Sequence, residues 1–348
     1  MQEQSMRNAI INGDMRIAQR GTSFAAAGSN VYTLDRWNYI KTGTTCVHTV
    51  TQDSDAPNNQ FQYSLKLDCT TADAAVAAGD LCIMRQRVEG YNFRKFVGQT
   101  ATLSFWVKAG KTGTMCVSFS NNGPDRSYVS EVVINSANTW EKKSVTLTFD
   151  YSGGTWNYTN GLGLEVRFAL ICGSTFQTTA DAWQTGNYSG TSSQTNFVDN
   201  TDATCDVWIT GVQLELGDTA TDFEFVDQHS QLLQCYRYYC NSFREGDYPA
   251  HGYKAMYYSG TAVSTASVYG EVIVFPVKMR GAPSMSWYRG QLGAGVYWAY
   301  YNSGWSSGTN HIVAELTNFG VTYYVSGTAL TNKYSYLVSG NWEADAEL

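Results

Sequence analysis

Thr102-Leu-Ser-Phe-Trp-Val-Lys108 alternates along the chain, so Leu103, Phe105 and Val107 share one face of an extended segment. The same period of two recurs in Ser144-Val-Thr-Leu-Thr-Phe149, where Val145, Leu147 and Phe149 point inward and Thr146 and Thr148 face water. Leu164, Val166, Phe168 and Leu170 repeat it with Glu165 and Arg167 outside. Val212, Leu214 and Leu216 repeat it around Gln213 and Glu215. Strands so evenly patterned, separated by Gly, Asn and Ser turns, predict a two-sheet sandwich.

Working outward, the polar stretch from Ser174 to about Asn200 is expected to be a loop at a sandwich end that takes its order from a neighbour. Ser230-Gln-Leu-Leu-Gln-Cys-Tyr-Arg-Tyr-Tyr239 breaks the β rhythm. Ser230 suits an N-cap, and Leu232, Leu233, Tyr236 and Tyr239 fall at helical spacing. Its apolar stripe packs either on its own domain or on symmetry mates. Beyond it the composition changes: 16 of the 24 tyrosines fall between Tyr236 and the end, with Trp287, Trp298, Trp305 and Trp342. Strand-like runs there are 268–275, 295–301 and 321–325, and Pro276 and Pro283 follow the first. No fixed-period repeat appears, which argues against a propeller or solenoid. The reading is an all-β chain: a jelly-roll β-sandwich over 1–228, a helical connector over 229–240, and an aromatic-rich β-sandwich over 241–348.

The 348 residues suffice for two domains, and a hydrophobic share of 43% excludes a disordered chain. A net charge of −7 without a basic stripe argues against nucleic acid, and more weakly against anionic membranes. No apolar run is long enough to cross a bilayer. The opening Met1-Gln-Glu-Gln-Ser-Met-Arg7 lacks the apolar core of a signal peptide, so synthesis in a cytoplasm is expected. The eight cysteines, Cys46, Cys69, Cys82, Cys116, Cys172, Cys205, Cys235 and Cys240, form no CxxC pair and are expected to be buried thiols.

Two sets of motifs add a resemblance. Asn8-Ala-Ile-Ile-Asn-Gly-Asp-Met-Arg-Ile-Ala-Gln-Arg-Gly-Thr22, followed by Tyr32-Thr-Leu-Asp-Arg-Trp37, resembles the opening of phage tail-fibre and related virion proteins that begin with a carbohydrate-binding-module-like jelly roll. Ile209-Thr-Gly-Val-Gln-Leu-Glu-Leu-Gly217 with Phe223-Glu-Phe225 resembles the last strand of that module, and Gln234-Cys-Tyr-Arg-Tyr-Tyr239 the helix after it. Phe275-Pro-Val-Lys-Met-Arg-Gly-Ala-Pro283 and Asp345-Ala-Glu-Leu348 look like the C-terminal domain of these proteins. The resemblance implies a jelly roll, a homotrimer, other virion proteins as partners, and a structural or host-receptor-binding role in the virion. It brings no catalytic residues and no required cofactor.

The residues themselves give no enzyme. His48, His229, His251 and His311 form no metal-ligand pattern. Gly304-Trp-Ser-Ser-Gly308 matches the string of a nucleophile elbow, but no helical pattern follows, so a hairpin turn is expected. A glycan depolymerase needs two carboxylates about 5 to 9.5 Å apart. Asp181, Asp199, Asp202, Glu245 and Asp247 read instead as solvated loop acids. Asp14 and Asp206 are the positions to test for a structural calcium, against simple turn capping. Arg16, Arg20, Asp35 and Arg36 are assigned to structural ion pairs. Glycan binding rests on aromatics, since the C–H face of a sugar stacks on Trp or Tyr while its hydroxyls bond at the rim. Alternation puts Tyr297 and Tyr301 on one face and Trp298 and Tyr300 on the other, with Trp305 in a Gly/Ser turn. These five, with Asn302 and Asn310, form the candidate glycan site. A purely structural virion component, its aromatics taken up by subunit contacts, is the alternative.

Overall fold

Alternation builds two antiparallel sheets from the first two thirds of the chain. In a computed structural model, which describes residues 7–150, 152–244, 246–249, 256–289, 298–301, 305–327 and 330–348, the chain divides into two compact units. The first comprises Met1–Gln231 with Leu348, and the second Leu232–Glu347.

Unit 1 holds β1 (Ser23–Phe24), β2 (Val31–Tyr32), β3 (Trp37–Thr42), β4 (Val47–Asp53), β5 (Ser64–Thr71) and β6 (Leu81–Glu89). After a single helical turn, α1 (Gly90–Phe93), come β7 (Thr100–Ala109), β8 (Gly113–Ser120), β9 (Arg126–Ile134) and β10 (Glu141–Thr148). β11 (Leu162–Cys172), β12 (Trp183–Thr185) and β13 (Val207–Leu216) complete it. One sheet runs β1-β4-β5-β13-β7-β10 and the other β12-β9-β8-β11-β6-β3-β2. Because the chain crosses repeatedly from one sheet to the other, the result is a jelly-roll sandwich. Its core is the set the alternation selects: Leu103, Phe105 and Val107 from β7 and Leu164, Val166, Phe168 and Leu170 from β11 are all fully buried. Phe105 meets Phe168 edge-to-face, ring centroids 5.0 Å apart.

The N-terminal motif docks on β13. Ala9 N donates to Leu214 O at 2.9 Å and Val212 N to Gly13 O at 2.9 Å. A Cβ on Gly13 would lie 2.1 Å from Val212 O, so only glycine permits this approach. Asn12 Nδ2 donates to Ile17 O and Asp35 O, and Trp37 Nε1 donates to Asn12 O.

Two expectations for unit 1 need correction. Glu165, Arg167, Gln213 and Glu215 lie on outer sheet faces yet are buried. The stretch 174–200 packs against its own sheet. Asn187 and Ser189 accept from Arg167, while Phe197 and Val198 plug into the core. Covering a sheet's second face buries its polar side chains, and they are paired accordingly.

The helix α2 (Gln228–Tyr236) starts earlier than expected. Its cap is Asp227, whose Oδ1 accepts from Ser230 N at 3.0 Å, so Ser230 lies inside the first turn. Tyr239 belongs to the next strand. Unit 2 continues with β14 (Tyr239–Asn241), β15 (Met256–Ala262), β16 (Ser267–Gly270), β17 (Ile273–Val274), β18 (Ser284–Tyr288) and β19 (Ala299–Tyr301). It ends with β20 (Trp305–Ser307), β21 (Asn310–Leu316), β22 (Gly320–Ser326) and β23 (Ser335–Asp345). The long β23 organises them: its first half pairs with β15 and β19, its second with β14 and β18. The core under this sheet is aromatic, with Trp298, Tyr300, Tyr323, Tyr336 and Trp342 all buried. The chain is thus all-β apart from α1, α2 and short turns. All eight cysteines are buried, and no disulfide joins any of them among the described residues.

Candidate functional site

Register in unit 2 sorts the aromatic residues onto two faces. Tyr301 pairs with Leu337 of β23 on one side and Trp305 of β20 on the other, while Ser339 of β23 pairs with both Ala299 and Tyr257. Side chains opposite one another across neighbouring strands share a face. Tyr257, Tyr301, Trp305 and Leu337 therefore belong to a single surface. Tyr257 and Trp305 have ring centroids 5.8 Å apart, and Tyr301 meets Trp305 edge-on at 5.5 Å. Tyr257 is 52% exposed, Tyr301 47% and Leu337 41%, and Trp305 is half-buried. Three strands thus contribute three rings to an apolar step, and Ser259 stands opposite Leu337 on the same face.

Trp298 and Tyr300 are not part of it, which corrects the expected site. Both are fully enclosed: Trp298 stacks on Tyr258 at 5.1 Å and meets Trp287, Tyr323 and His311, and its Nε1 donates to Asn341 O at 3.0 Å. Their face of β19 points into the core, so no sugar reaches it. Asn310 is exposed but opens β21 and pairs with Ser326, away from the Tyr301–Trp305 register. Tyr297 and Asn302 lie outside the described residues. Tyr257 is the residue sequence reasoning missed; it lies far from Trp305 along the chain, and only pairing through β23 brings them together.

The aromatic residues on the jelly roll are differently placed. Trp208, on the outer face of the six-stranded sheet, has Lys108 Nζ 3.8 Å and Lys66 Nζ 5.1 Å from its ring centroid, and its Nε1 donates to Asp53. Its π face is already taken by protein cations.

The remaining candidates resolve individually. Ser306 lies inside β20 with β21 next, so the elbow string is a strand and turn. Asp181 accepts from Ser130, Asp199 pairs with Lys111 and Asp202 caps the turn at Thr204. Glu245 lies outside the described residues. Arg20 pairs with Asp35 at 3.5 Å. Asp14 is paired with Arg16, and Asp206 with Lys66 at 3.0 Å, so each calcium candidate already faces a protein cation. Burial pushes both carboxyls above their ordinary value, Asp206 also through its neighbour Asp68.

No family model matches this chain, and no curated protein matches it. Solved structures do. A tailspike protein 4 enzymatically active domain of bacteriophage CBA120 aligns over 60% of this chain and 21% of its own, at 16% identity and a TM-score of 0.33. A putative sugar-binding protein of Bacteroides thetaiotaomicron aligns over 61% of this chain and 100% of its own, at 13% identity and 0.30. A family 11 carbohydrate-binding module of Clostridium thermocellum aligns over 56% and 95%, at 8% identity and 0.30.

Proposed function

We propose that this chain is a non-enzymatic virion protein of the tail-fibre type that binds a host-surface glycan through Tyr257, Tyr301 and Trp305. The observation that carries the reading is that exposed trio. Its rings stand on paired strands above a buried aromatic layer, so they are held in place without a ligand and little ordering cost remains for binding. The sequence resemblance supports the virion setting. Assembly as a homotrimer follows from the same resemblance and would multiply weak sugar contacts on one particle. Asp181, Asp199 and Asp202, each bonded within the protein, favour binding over hydrolysis.

A glycan array probed with the full chain tests this. Binding is expected, with a loss of at least about tenfold in Trp305→Ala and Tyr301→Ala. A folded chain that binds no glycan or host cell, or one indifferent to both substitutions, overturns the reading.

One observation favours the purely structural alternative. Val272, Val274 and Phe319, around β17 and the start of β22, are each more than half exposed, as an apolar patch awaiting a subunit would be. In that case the trio is a subunit contact, and the chain's solution mass is that of an oligomer in which Trp305 is shielded from solvent.

A further inference from the structure

Away from the aromatic surface, the described residues bring three potential metal ligands together: Cys46, His48 and Cys82, whose ligand atoms all lie within 4.8 Å of one another. Cys46 precedes β4 and His48 lies in it, so alternation points both inward from the six-stranded sheet. Cys82 of β6 and Tyr39 of β3 face them from the seven-stranded sheet. All four side chains are completely buried. Tyr39 Oη accepts from Cys82 Sγ at 3.2 Å and lies 2.7 Å from His48 Nδ1. His48 Nε2 has no hydrogen-bond partner among the described residues.

We propose that Cys46, His48 and Cys82, with the Tyr39 hydroxyl at the fourth corner, bind one Zn2+ ion that ties the two jelly-roll sheets together. Sulfur and nitrogen donors select a borderline cation of this kind over calcium or magnesium. In a tetrahedral zinc site neighbouring sulfur and nitrogen ligands are about 3.5 Å apart, and Cys82 Sγ already lies 4.0 Å from His48 Nδ1. Charge also closes. Two thiols release their protons as the ion arrives, and the two thiolates cancel its charge while the imidazole stays neutral, so a dry core tolerates the site.

The test uses the full chain, made in zinc-supplemented medium and purified without chelator. One equivalent of zinc per chain is expected by elemental mass spectrometry. Replacement by Co2+ should give a thiolate charge-transfer band. Cys46→Ser and Cys82→Ser should each lose both signals, whereas Cys69→Ser, a buried cysteine outside the cluster, should keep them. A wild-type chain that carries less than about a tenth of an equivalent and takes up no Co2+ overturns the proposal without any variant having to fold. So does zinc retained in both serine variants, or a wild-type chain lighter by two hydrogens because Cys46 and Cys82 have joined as a disulfide.

Discussion

Trp298 and Trp305 stand close in sequence and meet opposite demands. Trp298 is packed on Tyr258, Trp287 and Tyr323 and lies so flat on β23 that a Cβ on Gly340 would fall 2.1 Å from its ring. Trp298→Ala should therefore cost about 3–5 kcal/mol and melt unit 2, as deletion of a buried indole does. Gly340→Ala should cost about 1–3 kcal/mol through overpacking, read as a lower urea midpoint. Trp305→Ala should change stability by no more than about 1 kcal/mol while abolishing glycan binding, as thermal unfolding monitored beside the array would show. Equal destabilisation by Trp298→Ala and Trp305→Ala would place both in the core and remove the site. The sequence period separates Trp298 and Tyr300 from Tyr301, and the structure keeps that separation. What alternation cannot say is which face is core. Tyr257 was harder still to see, because its partnership with Trp305 passes through β23, whose register no local pattern records.

At the scale of elements, the same limit explains β11. Its alternation puts Glu165 and Arg167 on the outer face, but a strand's period carries no information about what covers that face. Here 174–200 folds back on it, and Glu165 becomes the buried hub of three guanidinium groups. Arg85 and Arg87 reach Oε1 at 2.9 Å each, and Arg167 reaches Oε2 at 2.7 Å. Removing one partner of a buried network leaves the others uncompensated. Glu165→Gln should lower the stability of unit 1 by about 3 kcal/mol, measured by denaturant unfolding; a change below about 0.5 kcal/mol would mean that solvent reaches the cluster. The helix tells a similar story on a smaller scale. Ser230 and Asp227 are both acceptable caps by type, and only the chain's entry angle chooses Asp227. Asp227→Ala should cost about 1 kcal/mol, and Ser230→Ala a few tenths at most.

For the molecule as a whole, these environments set two acid-sensitive windows, one in each unit. His311 in unit 2 is stacked on Trp287 at 5.1 Å, and its Nε2 accepts from Trp298 N at 3.0 Å, so its ring is held neutral. Burial lowers it from 6.5 to about 4. A histidine lowered on folding gives stability that is complete above the unfolded value and is lost as pH falls, because the unfolded chain takes the proton first. Unit 2 should weaken between pH 6.5 and 4. In unit 1, burial pushes the Glu165 carboxyl up, but Arg167, Arg85 and Arg87 outweigh it and hold the group at about 2, against an ordinary 4.5. A carboxylate lowered on folding likewise gives stability present above its unfolded value and lost towards the folded one, so unit 1 should hold until pH 4.5 and weaken down to 2. Each contribution is on the order of 3 kcal/mol at most. Hydrogen exchange followed by mass spectrometry across this range should thus show peptides of β19, β21 and β22 losing protection before those of β6 and β11. His311→Gln, which keeps an acceptor for Trp298 N, should flatten the upper window alone, and Glu165→Gln the lower one alone. Simultaneous loss of protection in both units, unmoved by His311→Gln, would show that some other group controls acid unfolding.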